Sequence, residues 1–194
     1  MALSRREEIL AIAAEQFAAG GVAGTTVRDI SSAAGILSGS LYHHFQSKEE
    51  MVADLLLPVM ERQVSQYRAI VRRGGPAPVV LRELIKTAVI EAAQTPNETR
   101  MIRNDAPSLS AMPALKPVTD LLVAAAKLWA SVVQQGIDRG ELRDCDPKLV
   151  VAAMFDAVLS ATRWFTGSRP QRPGPVGEAI ADLFLQGLRT TVQT

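Results

Sequence analysis

Cysteine is almost absent: Cys145 stands alone among 194 residues. No intrachain disulfide can form, and a reduced, cytoplasmic setting is the expectation. Its expected role is that of a small residue near a helix start. Histidine is nearly as scarce. His43 and His44 are adjacent, so they point in different directions on a helix, and no second ligand pair at suitable spacing follows; neither metal nor cofactor is expected. There is no Gly-rich phosphate loop and no recognisable Ser/His/Asp set, so an enzyme is not expected. Long apolar runs are missing too. The greasiest stretches, residues 121–133 and 149–165, are broken by Lys127 and by Asp156 and Arg163, short of the roughly 18 apolar residues of a membrane span. Glu7 and Glu8 follow Arg5 and Arg6 at once, unlike a signal peptide, and no export is expected.

What is abundant is apolar residue: 47% of the chain, with a mean hydropathy of +0.11. That much apolar surface suggests an oligomer interface or a ligand cavity. The apolar residues recur with helical period, and no Asn-Gly or Asp-Gly hairpin pair occurs, so the fold class is all-α. The first helix is expected at residues 4–19, stopped by Gly20-Gly21. A second begins at Thr26, which with Asp29 forms something close to a capping box; Val27, Ile30 and Ala34 face inward. Gly35 breaks it because glycine takes a left-handed conformation cheaply, and a third helix spans Ser38 to Phe45. Ser47-Lys48-Glu49-Glu50 reads as a full capping box opening a long fourth helix toward Arg73, kinked at Pro58. After the Gly74–Pro78 break, helices are expected at 79–94, 99–106, 117–139, 147–165 and 176–191.

Helix, sharp turn and short helix is the arrangement that sends a second helix into the DNA major groove. The exposed positions suit this: Ser38, Gly39, Ser40, Tyr42 and His43 are small or hydrogen-bonding, while Leu41 and Phe45 can anchor the helix inside. The runs Thr25-Thr26-Val27-Arg28-Asp29-Ile30, Ala34-Gly35-Ile36, Ser40-Leu41-Tyr42-His43-His44-Phe45 and Ser47-Lys48-Glu49 resemble the DNA-binding signature of the tetracycline-repressor (TetR) family, over residues 5–57. The resemblance implies a DNA-contact set of Thr26, Arg28, Ser38, Gly39, Ser40, Tyr42, His43 and Lys48, with Tyr42 and Lys48 on phosphates of a double-stranded operator. Residues 1–50 hold four basic side chains against six acidic ones. Bulk attraction to DNA is therefore not the driving term, and local placement of cations, hydroxyls and helix N-termini must carry binding.

Beyond residue 50, the 117–139 helix presents a broad apolar face that makes Trp129 core or pocket wall. The 147–165 helix is apolar around most of its circumference except for Asp156, Ser160 and Arg163, a narrow stripe that is either solvent-facing or the polar wall of a ligand cavity. By the resemblance, the last helix, with Ile180, Leu183, Phe184 and Leu188, pairs with it in a dimeric four-helix bundle, making the chain a homodimer. Candidate effector-binding residues are Trp129, Phe155 and Trp164 as walls and Arg163 as an anchor for an anionic or carbonyl group. The plainer alternatives are that Arg163 pairs with Asp156 or meets solvent and that Trp164 is dimer core. Residues 35–45, Gln135–Gly140 and Arg163-Trp164 look like the actinobacterial steroid-catabolism repressors within the family, which implies a coenzyme A thioester as effector. The expected organisation is a helix-turn-helix domain at 1–48 and a helical ligand-binding and dimerisation domain at 49–194. The expected function is a DNA-binding regulator, a repressor released by a small amphipathic molecule.

Overall fold

The computed structural model describes residues 3–165 and 170–189. These form nine α-helices and no strand: α1 (Arg5–Gly20), α2 (Val27–Ala33), α3 (Ser38–Leu41), α4 (Lys48–Arg73), α5 (Ala77–Gln94), α6 (Pro96–Ser110), α7 (Lys116–Asp138), α8 (Pro147–Ser160) and α9 (Pro173–Gly187). Short 3₁₀ turns occupy Pro113–Leu115 and Ala161–Trp164. The chain divides into two compact units, Met1–Met60 with Asn97–Asp120, and Glu61–Pro96 with Leu121–Thr194. No helix among the described residues is long and apolar enough to cross a membrane.

In the first unit, α1 opens on a capping box between Ser4 and Glu7 and buries Ile9, Ala13, Ala14 and Phe17. Its exposed arginines tie it to its neighbours. Arg5 donates to the carbonyl of Ala34 at 2.9 Å. Arg6 lies over the Phe45 ring, 4.5 Å from its centroid, and pairs with Asp54. Helix α4 starts on half of the expected box: the Glu50 amide donates to Ser47 Oγ at 3.0 Å, but the Glu50 carboxylate accepts from the amide of Gln46 instead of Ser47. The helix then runs unbroken through the exposed Pro58. Proline brings no N–H, so the carbonyl of Asp54 loses its intrahelical donor there.

The second unit is built around an apolar core shared by α5, α7, α8 and α9, with Leu81, Leu84, Ile85, Trp129, Val133, Met154 and Ala181 all buried. Helix α9 approaches α5 closely at Gly177, where a Cβ would stand 3.1 Å from Lys86 Cα. Around this contact Arg82 pairs with Glu178 at 2.7 Å and with Asp182 at 2.6 Å, and Lys86 pairs with Glu178. These partly exposed pairs set register more than stability.

The bounds of four helices differ from expectation by three residues or more. Helix α3 stops at Leu41, because the amide of His44 bonds back three residues to Leu41 (2.9 Å) and that of His43 to Ser40 (3.3 Å), tightening residues 42–44 into turns. Helix α8 stops at Ser160: the buried Thr162 hydroxyl donates to the carbonyl of Leu159 at 3.0 Å, drawing the chain into a 3₁₀ turn. Helix α6 is longer than 99–106, starting on Pro96, a residue preorganised for a first helical turn. Helix α9 starts three residues earlier than 176, at Pro173, and ends at Gly187, short of the expected terminus at Thr191, which lies outside the described residues.

Candidate nucleic-acid interface and effector site

The DNA-facing candidates gather on the connection from α2 to α4. Thr26 caps α2: its amide donates to Asp29 Oδ2 at 2.9 Å, its hydroxyl to the same oxygen at 2.6 Å, and Asp29's amide to the hydroxyl at 3.2 Å. These bonds hold the Asp29 carboxyl below its ordinary pKa. Gly35 turns the chain with φ of +66°, the left-handed conformation a Cβ would penalise. Beneath α3, Leu41 and Phe45 are each 1% exposed. Gly39, Ser40, Tyr42 and His43 are exposed, on the side that Leu41 and Phe45 leave free, and Arg28 of α2 is exposed as well.

Two further members of the set carry internal duties. Ser31 Oγ donates its one proton to the carbonyl of Arg28 at 3.0 Å, so in its 2.9 Å contact with Ser38 Oγ it must be Ser38 that donates. Ser38 thereby pins α3 to α2. Lys48 Nζ donates to the carbonyls of Val22 at 2.7 Å and Thr25 at 3.1 Å, clamping the α1–α2 connection and leaving one of its three N–H donors uncommitted. The other side of that connection is held by Asp105 of α6, buried, whose Oδ1 accepts from the amide of Val22 at 3.0 Å. Sequence reasoning missed Asp105. The 83 positions separating it from Val22 leave no local signal.

Of the effector-site candidates, two meet. Trp129 is fully buried, with the Phe155 ring 4.7 Å away at 33° and the Tyr67 ring of α4 5.4 Å away at 73°. Arg163 and Trp164 stand apart from this cluster in the 3₁₀ turn after α8; both are exposed, Trp164 by 51%. Among the described residues Arg163 forms no ion pair, with Asp156 or any other residue. Sequence reasoning also missed Glu91, 5% exposed on α5. Its Oε2 accepts from Arg62 Nε at 3.1 Å and Nη2 at 3.0 Å, and its Oε1 from Gln66 Nε2 at 3.0 Å. Burial first, and then the negative charge of Glu91, push the Tyr67 phenol well above its ordinary pKa.

Known proteins share this arrangement. The profile of bacterial regulatory proteins of the tetR family matches residues 9–55, and that of a tetracyclin repressor-like C-terminal domain matches residues 74–188. The chain is 36% identical over 186 residues to the HTH-type transcriptional repressor KstR2 of Mycobacterium tuberculosis, covering 95% of this chain and 93% of that protein. It is 34% identical to KstR2 of Rhodococcus jostii over 185 residues, or 95% and 91% of the two chains. The solved structure of the ketosteroid transcriptional regulator KstR2 of Mycobacterium tuberculosis superposes with a TM-score of 0.86 at 34% identity over 98% of each chain. AibR in complex with isovaleryl coenzyme A and operator DNA shares the fold, with a TM-score of 0.77 at 19% identity over 93% of this chain and 97% of that one.

Proposed function

We propose that this chain, which belongs to the tetR family of bacterial regulatory proteins, represses transcription from an operator and lets go when an amphipathic acyl thioester enters its second unit. It is a transcriptional repressor and not an enzyme, as its relatives are named. The observation that carries the DNA reading is the split of the short α3 segment into a buried Leu41/Phe45 side and an exposed side made of Gly39, Ser40, Tyr42 and His43. Tyr42 and the free proton of Lys48 meet phosphates, and Arg28 and the α3 face meet base edges. Thr26 and Ser38 act mainly by shaping α2 and α3. Such contacts from one copy are few, and a homodimer on a two-fold operator doubles them.

The dimer is formed by α8 and α9. Their outer sides carry Leu149, 69% exposed, and Leu183, 75% exposed, beside the small residues Ala152, Ala153 and Ala179, which let helices of two copies pack closely. The protein works in the cytoplasm, where its operator lies.

The effector reading rests on the aromatic cluster of Trp129, Phe155 and Tyr67 and on the Arg163 guanidinium, exposed in the turn after α8 and without an ion pair among the described residues. An apolar acyl group suits the first and the charged remainder of a coenzyme A thioester suits the second. AibR, of the same fold, was solved with isovaleryl coenzyme A and operator DNA, which adds support at the level of the fold. Filling the second unit displaces α4, whose residues belong to both units, and so changes the spacing of the two reading segments in the dimer. The test is to titrate acyl thioesters into a preformed protein–operator complex and follow release by fluorescence anisotropy. Release by at least one thioester, needing several-fold more ligand with Arg163→Ala, is the expected result. If no thioester releases the operator, the effector class is wrong; if Arg163→Ala responds like the unaltered protein, Arg163 is not the anchor.

A further inference from the structure

Leu37 is 80% exposed, more than any other large apolar side chain among the described residues. Exposure alone would mean little, because single apolar residues are common on protein surfaces. Its position is what needs a reason. Leu37 is the N-cap of α3, extended at φ −71° and ψ 145°, and its side chain makes no bond to the first turn. The helices around it begin on hydroxyls that do: Ser4 for α1, Thr26 for α2 and Ser47 for α4. Leucine is among the poorest N-cap residues, since it brings no acceptor to the open amides of a first turn. A second departure of this kind lies two positions on. Gly39 sits inside α3 with φ outside the left-handed region, and a Cβ there would meet nothing within 4 Å. Neither backbone nor packing requires a glycine, a residue that weakens helices. Local rules broken at exposed positions with no structural reason mark functional sites.

Both residues belong to the segment that enters the major groove. Base edges there are polar with one exception, the 5-methyl group of thymine. Glycine at 39 removes the side chain that would hold α3 away from those edges, and leucine at 37 reaches them with methyl groups alone. Half-buried Ile36 and buried Leu41 anchor the backbone on either side, so Leu37 projects from a fixed segment. We infer that Leu37 packs on the 5-methyl group of a thymine in each operator half-site, admitted to it by Gly39, and so sets the sequence preference at that base pair. The contact rests on the DNA-binding function proposed above and adds to it a base contact made without a hydrogen bond.

Uracil is thymine without that methyl and pairs in the same way, so it isolates the contact. An operator duplex selected from a random pool, its thymines replaced by uracil one position at a time in both half-sites, is titrated with the unaltered protein, Leu37→Ala, Leu37→Ser and Gly39→Ala. One replacement is expected to weaken binding of the unaltered protein by about fourfold per half-site, and so by about fifteenfold for the pair, the scale of one methyl withdrawn from water. Leu37→Ala should bind the thymine and uracil forms alike, at an unchanged salt slope because no phosphate contact is lost. Leu37→Ser separates reading from folding: its hydroxyl can cap α3, so the Tm should hold or rise while the preference for the methyl disappears. Gly39→Ala should also lose that preference, although α3 has room for the added methyl; if it kept the preference in full, the part given to Gly39 would be overturned. If no replacement weakens the unaltered protein, or if the one that does weakens both Leu37 variants equally, the assignment of Leu37 is overturned and DNA binding stands. If selection yields no preferred duplex, operator binding itself fails, and this contact with it.

Discussion

Lys48→Met removes an ammonium and keeps most of its stem, and the structure separates two consequences. The first is intramolecular. Bonds from Nζ to the carbonyls of Val22 and Thr25, 2.7 and 3.1 Å long, are charge-assisted, a class worth about 1.5–3 kcal/mol each when well shielded. Lys48 is only half-buried and its carbonyl partners can turn to water, so a combined loss of about 1–2 kcal/mol is the reasoned figure. For a chain of this size that lowers the Tm by about 2–8 °C. The second consequence is at DNA. Loss of one phosphate contact per protomer reduces the magnitude of the salt slope of operator binding by about 0.9 for each protomer. Thermal unfolding and operator titrations across a salt series read the two separately. An unchanged Tm would refute the clamp; an unchanged slope would refute the phosphate contact. Weaker binding at unchanged slope would mean that Lys48 acts only by holding the α1–α2 connection in place.

Tyr42→Phe should weaken binding several-fold and equally for operator and unrelated DNA, since a phenol on phosphate carries no sequence information, whereas Arg28→Ala should lose more on the operator; competition titrations distinguish them, and a Tyr42→Phe effect confined to the operator would contradict the assignment. Leu183→Glu puts a charge on the exposed side of α9 and should convert the dimer to monomer at micromolar concentration without unfolding it; sedimentation showing an intact dimer would move the interface elsewhere. The Asp29 carboxyl is held below its ordinary pKa by Thr26, so the cap it makes is complete above the ordinary carboxylate range and is lost as pH falls through the depressed folded value. Thr26→Val should therefore shift the NMR titration of Asp29 to higher pH, and an unshifted titration would deny the capping bond.

Local features were the legible ones. Gly35 at a left-handed turn, the Thr26–Asp29 box and the buried Leu41/Phe45 side each follow from residues within a few positions of one another, and each is found as expected. The Ser4–Glu7 box was equally readable from its spacing, and was overlooked. Helix ends were less legible, because Thr162 decides the end of α8 by competing with its backbone and nothing in the apolar period announces that. Least legible were the long-range bonds. Lys48 and Ser38 have residue types suited to DNA, and only the folded chain reveals that each also bonds inward. Asp105 and Glu91 look in the sequence like ordinary helix-surface acids, yet one holds the α1–α2 connection and the other sits buried under Arg62.

Pro58 divides α4 in a way that bears on how such proteins can be recombined. Without an amide at that position the hydrogen-bonded ladder of α4 lacks one rung, and the gap falls close to where the compact units divide, between Met60 and Glu61. The amides nearest that missing rung should exchange faster than those a turn away on either side. The same position is then a natural seam for chimaeras: a foreign DNA-reading segment can be joined where the ladder already lacks a rung, and the operator can be exchanged while the response to the effector is kept.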